Sequence, residues 1–266
     1  MSTARPTSRR YDAQATVYDR RTALDAAAAR SIAAAILAIV GDRRTVVEIG
    51  AGTGELGRRL AARSGRYFGL DLSRPMLARF RAKLGAGAAG VHLMQAECNG
   101  PWPLRSGAAD VVIAVRVVHL LAPAVLAAEA RRVCRPGGVL LIGRVRHDEH
   151  GLRERLRRER RRLFAERGVG LPGAEAGSRR VLARCTAAGA TPLGKHTLAA
   201  WTHAVSAAEV IAGWDAAGAW AGGPVAEGTR AAVQAVLRAW ARAEFGTLQY
   251  QEPCRECFLL DGVRFP

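Results

Sequence analysis

The segment VVEIGAGTG, residues 46–54, combines a short apolar run, a carboxylate and closely spaced glycines. Glycines in such a turn let the backbone bend tightly and let a ligand approach the main chain. The helix that follows offers unpaired N–H groups to an anion. Glu55 stands where the dinucleotide fingerprint G-x-G-x-x-G needs its third glycine, and Glu48 is an unfavourable neighbour for a pyrophosphate. The pattern therefore favours a ligand that carries positive charge.

A second carboxylate, Asp71, follows the next apolar run along the chain, Gly69-Leu70. A carboxylate at the end of a second strand can accept hydrogen bonds from both hydroxyls of a ribose, as in other nucleoside-binding doubly wound folds. The glycine turn and this carboxylate together predict an adenosine-type ligand. The plainer alternative is a glycine turn and a capping aspartate in an unrelated α/β protein.

The elements that must position these residues alternate along the chain. Strand patterns at 45–49, 67–70, 91–94, 110–115 and 139–145 are separated by helical patterns, and Ser73 with Pro75 marks the start of one helix. This alternation predicts a parallel sheet with helices on both faces. We divide the chain into an entry segment and helix (1–40), a cofactor-binding core (41–146), a lid and acceptor region with later core elements (147–257) and a terminal strand (258–266).

The composition is that of a globular protein with a strong positive charge. Hydrophobic residues make up 49% and charged residues 24%, and the formal net charge is +17. The charge is almost entirely arginine and accompanies a high alanine content, so genome base composition or an anionic partner could explain it. We expect no membrane span and a cytoplasmic location, because long apolar windows, a signal-peptide core and a cysteine framework are all lacking.

Residues 46–143 resemble the core of class I S-adenosylmethionine-dependent methyltransferases, in the group that includes the ubiquinone- and menaquinone-methylating enzymes. The similar stretches are VVEIGAGTGELG, GLDLSRPML, DVVIAVRVVHLL and EARRVCRPGGVLLIG, in that order, and YDAQATVYDRR resembles the tyrosine-containing entry segment. The resemblance implies a doubly wound, Rossmann-like, seven-stranded sheet with an antiparallel last strand and a mainly helical lid. It also implies an enzyme that uses S-adenosylmethionine and releases S-adenosylhomocysteine.

The resemblance further implies which residues bind the cofactor. The glycine turn would hold the methionine moiety with support from Glu48, Asp71 would bind the ribose, and Glu97, where relatives carry aspartate, would face the adenine amino group with Cys98. Arg116 would line the pocket or hold an anion, and Tyr18 could close over the cofactor together with Tyr11. The predicted cofactor-binding residues are Glu48, Gly50, Ala51, Gly52, Asp71, Leu72, Met76, Ala96, Glu97, Cys98, Arg116 and Tyr18.

The predicted acceptor is a small organic molecule, methylated by in-line displacement. His119 is the candidate general base, with a packing or lid role as its alternative. Trp201, His203 and Trp214 are expected to contribute to the acceptor cavity with Tyr18 and His119. An RNA methyltransferase that uses the basic surface, and a catalytically degenerate cofactor-binding or regulatory protein, remain as alternatives. The sequence leaves the oligomeric state and the methylated atom open.

Two other patterns compete as functional signals. The arginine-dense stretch 152–167 predicts a helix with an apolar seam, and Glu154 is spaced for an i,i+4 pair with Arg158. Nucleic-acid binding is the alternative to such a solvated face, without a recognised RNA module to accompany it. Cys254-x-x-Cys257 and His147-x-x-His150 could bring four zinc ligands to one sheet edge. A single CxxC is weak support, so we expect no metal ion.

Overall fold

The computed structural model describes residues 12, 15–16, 18–19, 24, 26–41, 44–85, 89–171, 174–216 and 225–266. Tyr11 lies outside the described residues. The strands are β1 (Thr45–Ile49), β2 (Arg66–Asp71), β3 (Val91–Gln95), β4 (Ala109–Val115), β5 (Cys134–His147), β6 (Thr191–Ser206) and β7 (Gln251–Arg264). The helices are α1 (Ala26–Val40), α2 (Gly57–Ala61), α3 (Arg74–Lys83), α4 (Pro123–Val133), α5 (Leu152–Ala165), α6 (Ala174–Ala187), α7 (Ala207–Ala216) and α8 (Glu227–Phe245), with a 3₁₀ turn at Val118–Leu120.

The strands form one seven-stranded sheet in the order β3-β2-β1-β4-β5-β7-β6. Strands β1 to β5 pair in parallel, with Val47 opposite both Phe68 of β2 and Val112 of β4. Strand β7 runs antiparallel to β5, because Gly137 N–H donates to Phe265 at one end while Asp148 N–H donates to Arg255 at the other. The predicted doubly wound, Rossmann-like fold with a reversed last strand is confirmed.

The chain divides into two compact units. The core unit contains the described residues up to 145 together with 174–199 and 258–266. Its strands β4 and β5 contain the buried apolar stretches Val111–Ala114 and Val139–Ile142, as expected of parallel strands covered on both faces. Helix α3 begins where Ser73 Oγ accepts the Met76 N–H at 3.3 Å, with proline in the first turn, as predicted.

The appended unit contains the described residues of 146–171, 200–216 and 225–257. Helices α5, α7 and α8 pack around their own apolar cluster. The predicted seam of α5 is confirmed, because Leu152, Leu156, Leu163 and Phe164 are all buried. Within the described part of the chain, every helix falls short of the length and apolar character that a bilayer span requires.

The later elements are longer than their sequence patterns predicted. The sequence pattern indicates a strand from Leu198, a turn-like stretch over 168–180 and a terminal strand from Phe258. In the structure β6 begins at Thr191, α6 begins at Ala174 and β7 begins at Gln251. The added part of β6 is mostly exposed and lies at the sheet edge, so it lacks the alternation of apolar residues that identifies a half-buried strand. Helix α6 and residues up to 199 belong to the core unit.

Candidate active site

The turn after β1 is built on glycines whose backbone conformations other residues rarely adopt. Gly50 and Gly52 have φ angles of 68° and 55°. A Cβ atom at Gly50 would lie 2.5 Å from Val117 Cγ2, so a larger residue would displace that side chain. The N–H groups of Gly50 and Ala51 donate to the Leu70 carbonyl at 2.8 and 3.0 Å, which fastens the turn to the end of β2.

Asp71 closes the other side of this turn. Its Oδ2 accepts the Gly52 N–H at 2.8 Å, and its Oδ1 accepts the Ser73 N–H at 2.8 Å. Burial raises the pKa of Asp71 against these hydrogen bonds, which lower it. Because each carboxylate oxygen can accept two hydrogen bonds, each keeps acceptor capacity for a ligand hydroxyl. The structure therefore brings the predicted glycine turn and the predicted ribose-binding carboxylate together.

Glu48 lies beneath the turn and is 4% exposed. Its Oε2 accepts a hydrogen bond from the Tyr67 hydroxyl, and burial raises the pKa of Glu48 to about 7. A Cβ atom at Gly57, the first residue of α2, would lie 2.6 Å from Glu48 Oε2. Glu48 is therefore placed to support the turn and the start of α2 from below.

The exit of β3 approaches the same turn. Ala96 N–H donates to the Asp71 carbonyl at 2.9 Å. The buried thiol of Cys98 lies near Gly50 and Asp71. Burial raises the pKa of this thiol to about 12, with the charge of Asp71 raising it and a hydrogen bond from the Gly50 backbone lowering it. The carboxylate of Glu97 accepts the Asn99 N–H at 2.9 Å and is thus engaged by its own loop.

Leu72 and Met76 differ in the surface that they offer to the site. Leu72 is half-buried, whereas Met76 is 2% exposed in this structure. Met76 packs in the core unit at the first turn of α3. The adenosine contact predicted for it stays a prediction.

Arg116 follows β4 with a φ of 56°, a left-handed conformation that is uncommon outside glycine. Such strain clusters at functional sites. Its guanidinium lies 2.5 Å from Glu55 Oε2, and Glu55 Oε1 accepts the Leu24 N–H. Glu55 therefore links the entry segment, the glycine turn and the residue after β4, a role that the sequence analysis did not assign to it.

The entry segment contacts the site through aspartates that the sequence analysis did not select. Asp12 Oδ1 accepts the Ser73 hydroxyl at 2.5 Å. Asp19 accepts the Thr53 hydroxyl and pairs with Lys83 Nζ at 2.6 Å. The signal in the sequence that could have identified these aspartates is that each directly follows a tyrosine. Tyr18 is half-buried beside Asp19.

The predicted catalytic and acceptor residues fall into different units. His119 is exposed in the 3₁₀ turn of the core unit. Trp201, His203 and Trp214 belong to the appended unit. There the Arg160 guanidinium lies 4.3 Å from the centre of the Trp214 ring, while His203 approaches Glu256. Their roles at an acceptor site stay predictions.

Of the two cysteines and two histidines that the sequence could bring to one sheet edge, the structure brings together Cys254 and His147. On β7, Cys254 and Glu256 share one face, and Cys257 points to the other because side chains alternate along a strand. His150 is exposed. The ligand atoms of His147, Cys254 and Glu256 instead lie within 4.8 Å of one another.

The arrangement around Asp71 agrees with the comparison with protein families. Residues 47–142 match the family model described as "Methyltransferase domain". These residues form a methyltransferase domain. The domain is of the class I, S-adenosylmethionine-dependent type, as its motifs predicted. The ubiquinone and menaquinone subgroup stays a prediction.

Solved structures share the fold of this methyltransferase domain and of the regions around it. A Bacillus halodurans C-125 protein assigned as a methyltransferase is 16% identical, with a TM-score of 0.58, and the alignment covers 88% of this chain and 98% of that one. The Bacillus subtilis protein YcgJ is 15% identical, with a TM-score of 0.56 and the same coverage. Geranyl diphosphate C-methyltransferase from Streptomyces coelicolor A3(2) is 15% identical, with a TM-score of 0.51 and coverage of 88% and 78%. No curated protein matches the chain.

Proposed function

We propose that the protein transfers a methyl group from S-adenosylmethionine to a small organic acceptor. The observation that carries the proposal is Asp71, a half-buried carboxylate held by the Gly52 and Ser73 N–H groups with acceptor capacity remaining on both oxygens. It stands at the carboxyl ends of parallel strands, where open α/β sheets bind their ligands.

The residues around Asp71 fit the cofactor that the domain implies. Asp71 would accept hydrogen bonds from the ribose hydroxyls, and the turn from Gly50 to Gly52 would hold the methionine moiety against bare backbone. Glu48, with its pKa raised to about 7, supports this turn from below. When bound, S-adenosylmethionine supplies an electrophilic methyl group on a sulfonium. The chain must then orient the acceptor and exclude water, and orientation alone can supply several kcal/mol.

Proton removal is needed only if the acceptor atom carries a proton that it must lose. His119 is the residue that we assign to this step, since it is exposed in the turn that follows β4 and Arg116. We further assign Trp201, His203 and Trp214 of the appended unit to contacts with the acceptor.

The arginines of α5 favour a small acceptor over RNA. Arg155 pairs with Glu252 at 2.7 Å, and Arg157 pairs with Glu154 at 2.8 Å. Arginines that already pair with neighbouring carboxylates contribute less to the binding of a phosphate backbone. A structure with this fold, geranyl diphosphate C-methyltransferase, was solved with geranyl diphosphate and S-adenosylhomocysteine, which illustrates a small-molecule acceptor in this fold.

The protein is assigned to the cytoplasm in this proposal. Cys98, Cys134, Cys185, Cys254 and Cys257 are all free thiols. Unpaired thiols are typical of a reducing compartment.

The acceptor class is tested with S-adenosylmethionine labelled in its methyl group. The protein is incubated with the small-molecule, RNA and protein fractions of a cell extract, and each fraction is counted. We expect label in the small-molecule fraction, and less label there with Asp71→Ala. Label confined to RNA would favour the RNA methyltransferase. Binding of S-adenosylhomocysteine without labelling of any fraction would favour a cofactor-binding regulatory protein.

A further inference from the structure

Ligand-type side chains meet on three adjacent strands of the appended unit. His147 is the last residue of β5, Cys254 and Glu256 lie on β7, and His203 lies on β6. Strand β7 stands between β5 and β6 in the sheet. Glu256 Oε1 lies 2.9 Å from His147 Nδ1, 3.9 Å from His203 Nε2 and 4.0 Å from Cys254 Sγ.

We propose that His147, Cys254 and Glu256 form a zinc site. Sulfur, imidazole nitrogen and carboxylate oxygen are the ligands that Zn²⁺ takes in proteins. Tetrahedral bonds of about 2.0–2.3 Å separate ligand atoms by roughly 3.3–3.7 Å. The ligand atoms of the three residues lie within 4.8 Å of one another, so small side-chain rotations bring them to these separations.

The burial of the ligands supports this assignment. Cys254 is 2% exposed and Glu256 is 8% exposed, and a carboxylate this deeply buried needs compensation for its charge. His147 Nδ1 is buried and lies 2.9 Å from Glu256 Oε1, so both ligand atoms face the same point.

Zinc binding would form a Zn–S bond, and the proton of the Cys254 thiol would leave to solvent.

A charge network centred on Arg153 is the competing explanation. Arg153 Nε lies 3.5 Å from Glu256 Oε1 and could neutralise it without a metal. That network also engages the Cys254 thiol, which donates to Glu256 Oε1 at 4.0 Å, so only a measurement of bound metal separates the two explanations. Arg153 is also 25% exposed at its side chain, so its guanidinium can turn to solvent when an ion occupies the site.

The test measures zinc in the full, untagged chain after dialysis, by elemental mass spectrometry and by competition with a chromophoric chelator. We expect one zinc per chain. Because outer-shell partners alone are worth 10–100-fold in affinity, Cys254→Ser and Glu256→Gln should each weaken zinc binding by more than about 100-fold. Cys257→Ser is the matched control, since Cys257 lies three residues away on the opposite face, and it should retain zinc.

A second measurement avoids the risk that a variant at buried Cys254 fails to fold. Wild-type protein titrated with Co²⁺ should develop a thiolate-to-cobalt absorption band, and Cys257→Ser should develop the same band. Wild-type protein without retained zinc or without this band would overturn the proposal. Equal zinc loss in Cys257→Ser and Cys254→Ser would overturn it as well. None of these readouts depends on methyl transfer, so they stand apart from the proposed function.

Discussion

Two carboxylates, Asp71 in the core unit and Glu256 in the appended unit, are held in different ways. Asp71 accepts the backbone N–H groups of Gly52 and Ser73, both at 2.8 Å. In the appended unit, Glu256 is surrounded by the side chains of histidine, arginine and cysteine.

This difference separates two kinds of site. Backbone donors come from the turns that flank a strand, and they leave a carboxylate with acceptor capacity for a ligand. Side-chain partners come from distant parts of the chain, and their charges and protons decide what can bind. The first arrangement suits a nucleoside, and the second suits a metal ion.

Removing a buried ring from each unit should give the largest effects and separate the two. Phe80 packs under the glycine turn of the core unit, and Phe164 fills the appended cluster. Phe80→Ala and Phe164→Ala should each lower the free energy of unfolding by about 3–5 kcal/mol, measured by urea denaturation. Calorimetric titration at low temperature should show weaker S-adenosylhomocysteine binding for Phe80→Ala and unchanged binding for Phe164→Ala. Equal loss of affinity in both variants would contradict the assignment of cofactor binding to the core unit.

The raised pKa of Glu48 should make the stability of the core unit depend on pH. The folded pKa of about 7 lies above the ordinary 4.5, so the protonated carboxyl favours folding at low pH and this contribution is lost as the pH rises through 7. Between about pH 4 and pH 8, wild-type protein should lose about 3 kcal/mol of unfolding free energy relative to Glu48→Gln. Glutamine still accepts from Tyr67, which makes it a matched reference. Parallel curves for the two proteins would show that Glu48 ionises normally.

Gly50 should be intolerant of a side chain because of its neighbour as well as its backbone. Gly107 has nearly the same φ, 66° against 68°, but a Cβ atom there would meet open space. Gly50→Ala should cost about 1–3 kcal/mol more than Gly107→Ala, since it also forces Val117 to move. Urea denaturation of the two variants gives this difference. Equal costs would mean that backbone strain alone selects glycine at Gly50.

The smallest predicted effect concerns the surface of α5. The structure pairs Glu154 with Arg157, and Arg158 instead donates to the Glu149 carbonyl, so the i,i+4 pair expected from the sequence is wrong. A double-mutant cycle should give about 0.3–0.5 kcal/mol of coupling for Glu154 with Arg157 and none for Glu154 with Arg158. The reverse result would restore the original pairing.

Local patterns in the sequence were sufficient to predict the parallel strands, the glycine turn and Asp71, whereas the reversed last strand was implied by the family resemblance. Apolar runs, capping residues and turn glycines act within a few residues of one another. The same local information predicted the buried seam of α5.

Contacts between segments that are far apart in the sequence could not be predicted from these local patterns. Glu55 meets Arg116, Asp12 meets Ser73, and His147 meets Glu256 only after folding. The CxxC spacing suggested the wrong zinc partners, since strand alternation separates Cys254 from Cys257. The exposed half of β6 was missed because an edge strand has little apolar alternation to reveal it.

The most direct test of the account is calorimetric titration with S-adenosylhomocysteine of wild-type protein, Asp71→Ala and Asp110→Ala. Both aspartates accept a backbone N–H. Asp71 lies at the carboxyl end of β2, whereas Asp110 lies near the amino end of β4, so the two stand at opposite ends of the parallel strands. Asp71→Ala should weaken binding by about 1–3 kcal/mol, because it leaves ribose hydroxyls unpaired. Asp110→Ala should change the affinity by less than about twofold, well under 1 kcal/mol. No binding by the wild-type protein, or equal losses in the two variants, would contradict the assignment of this site.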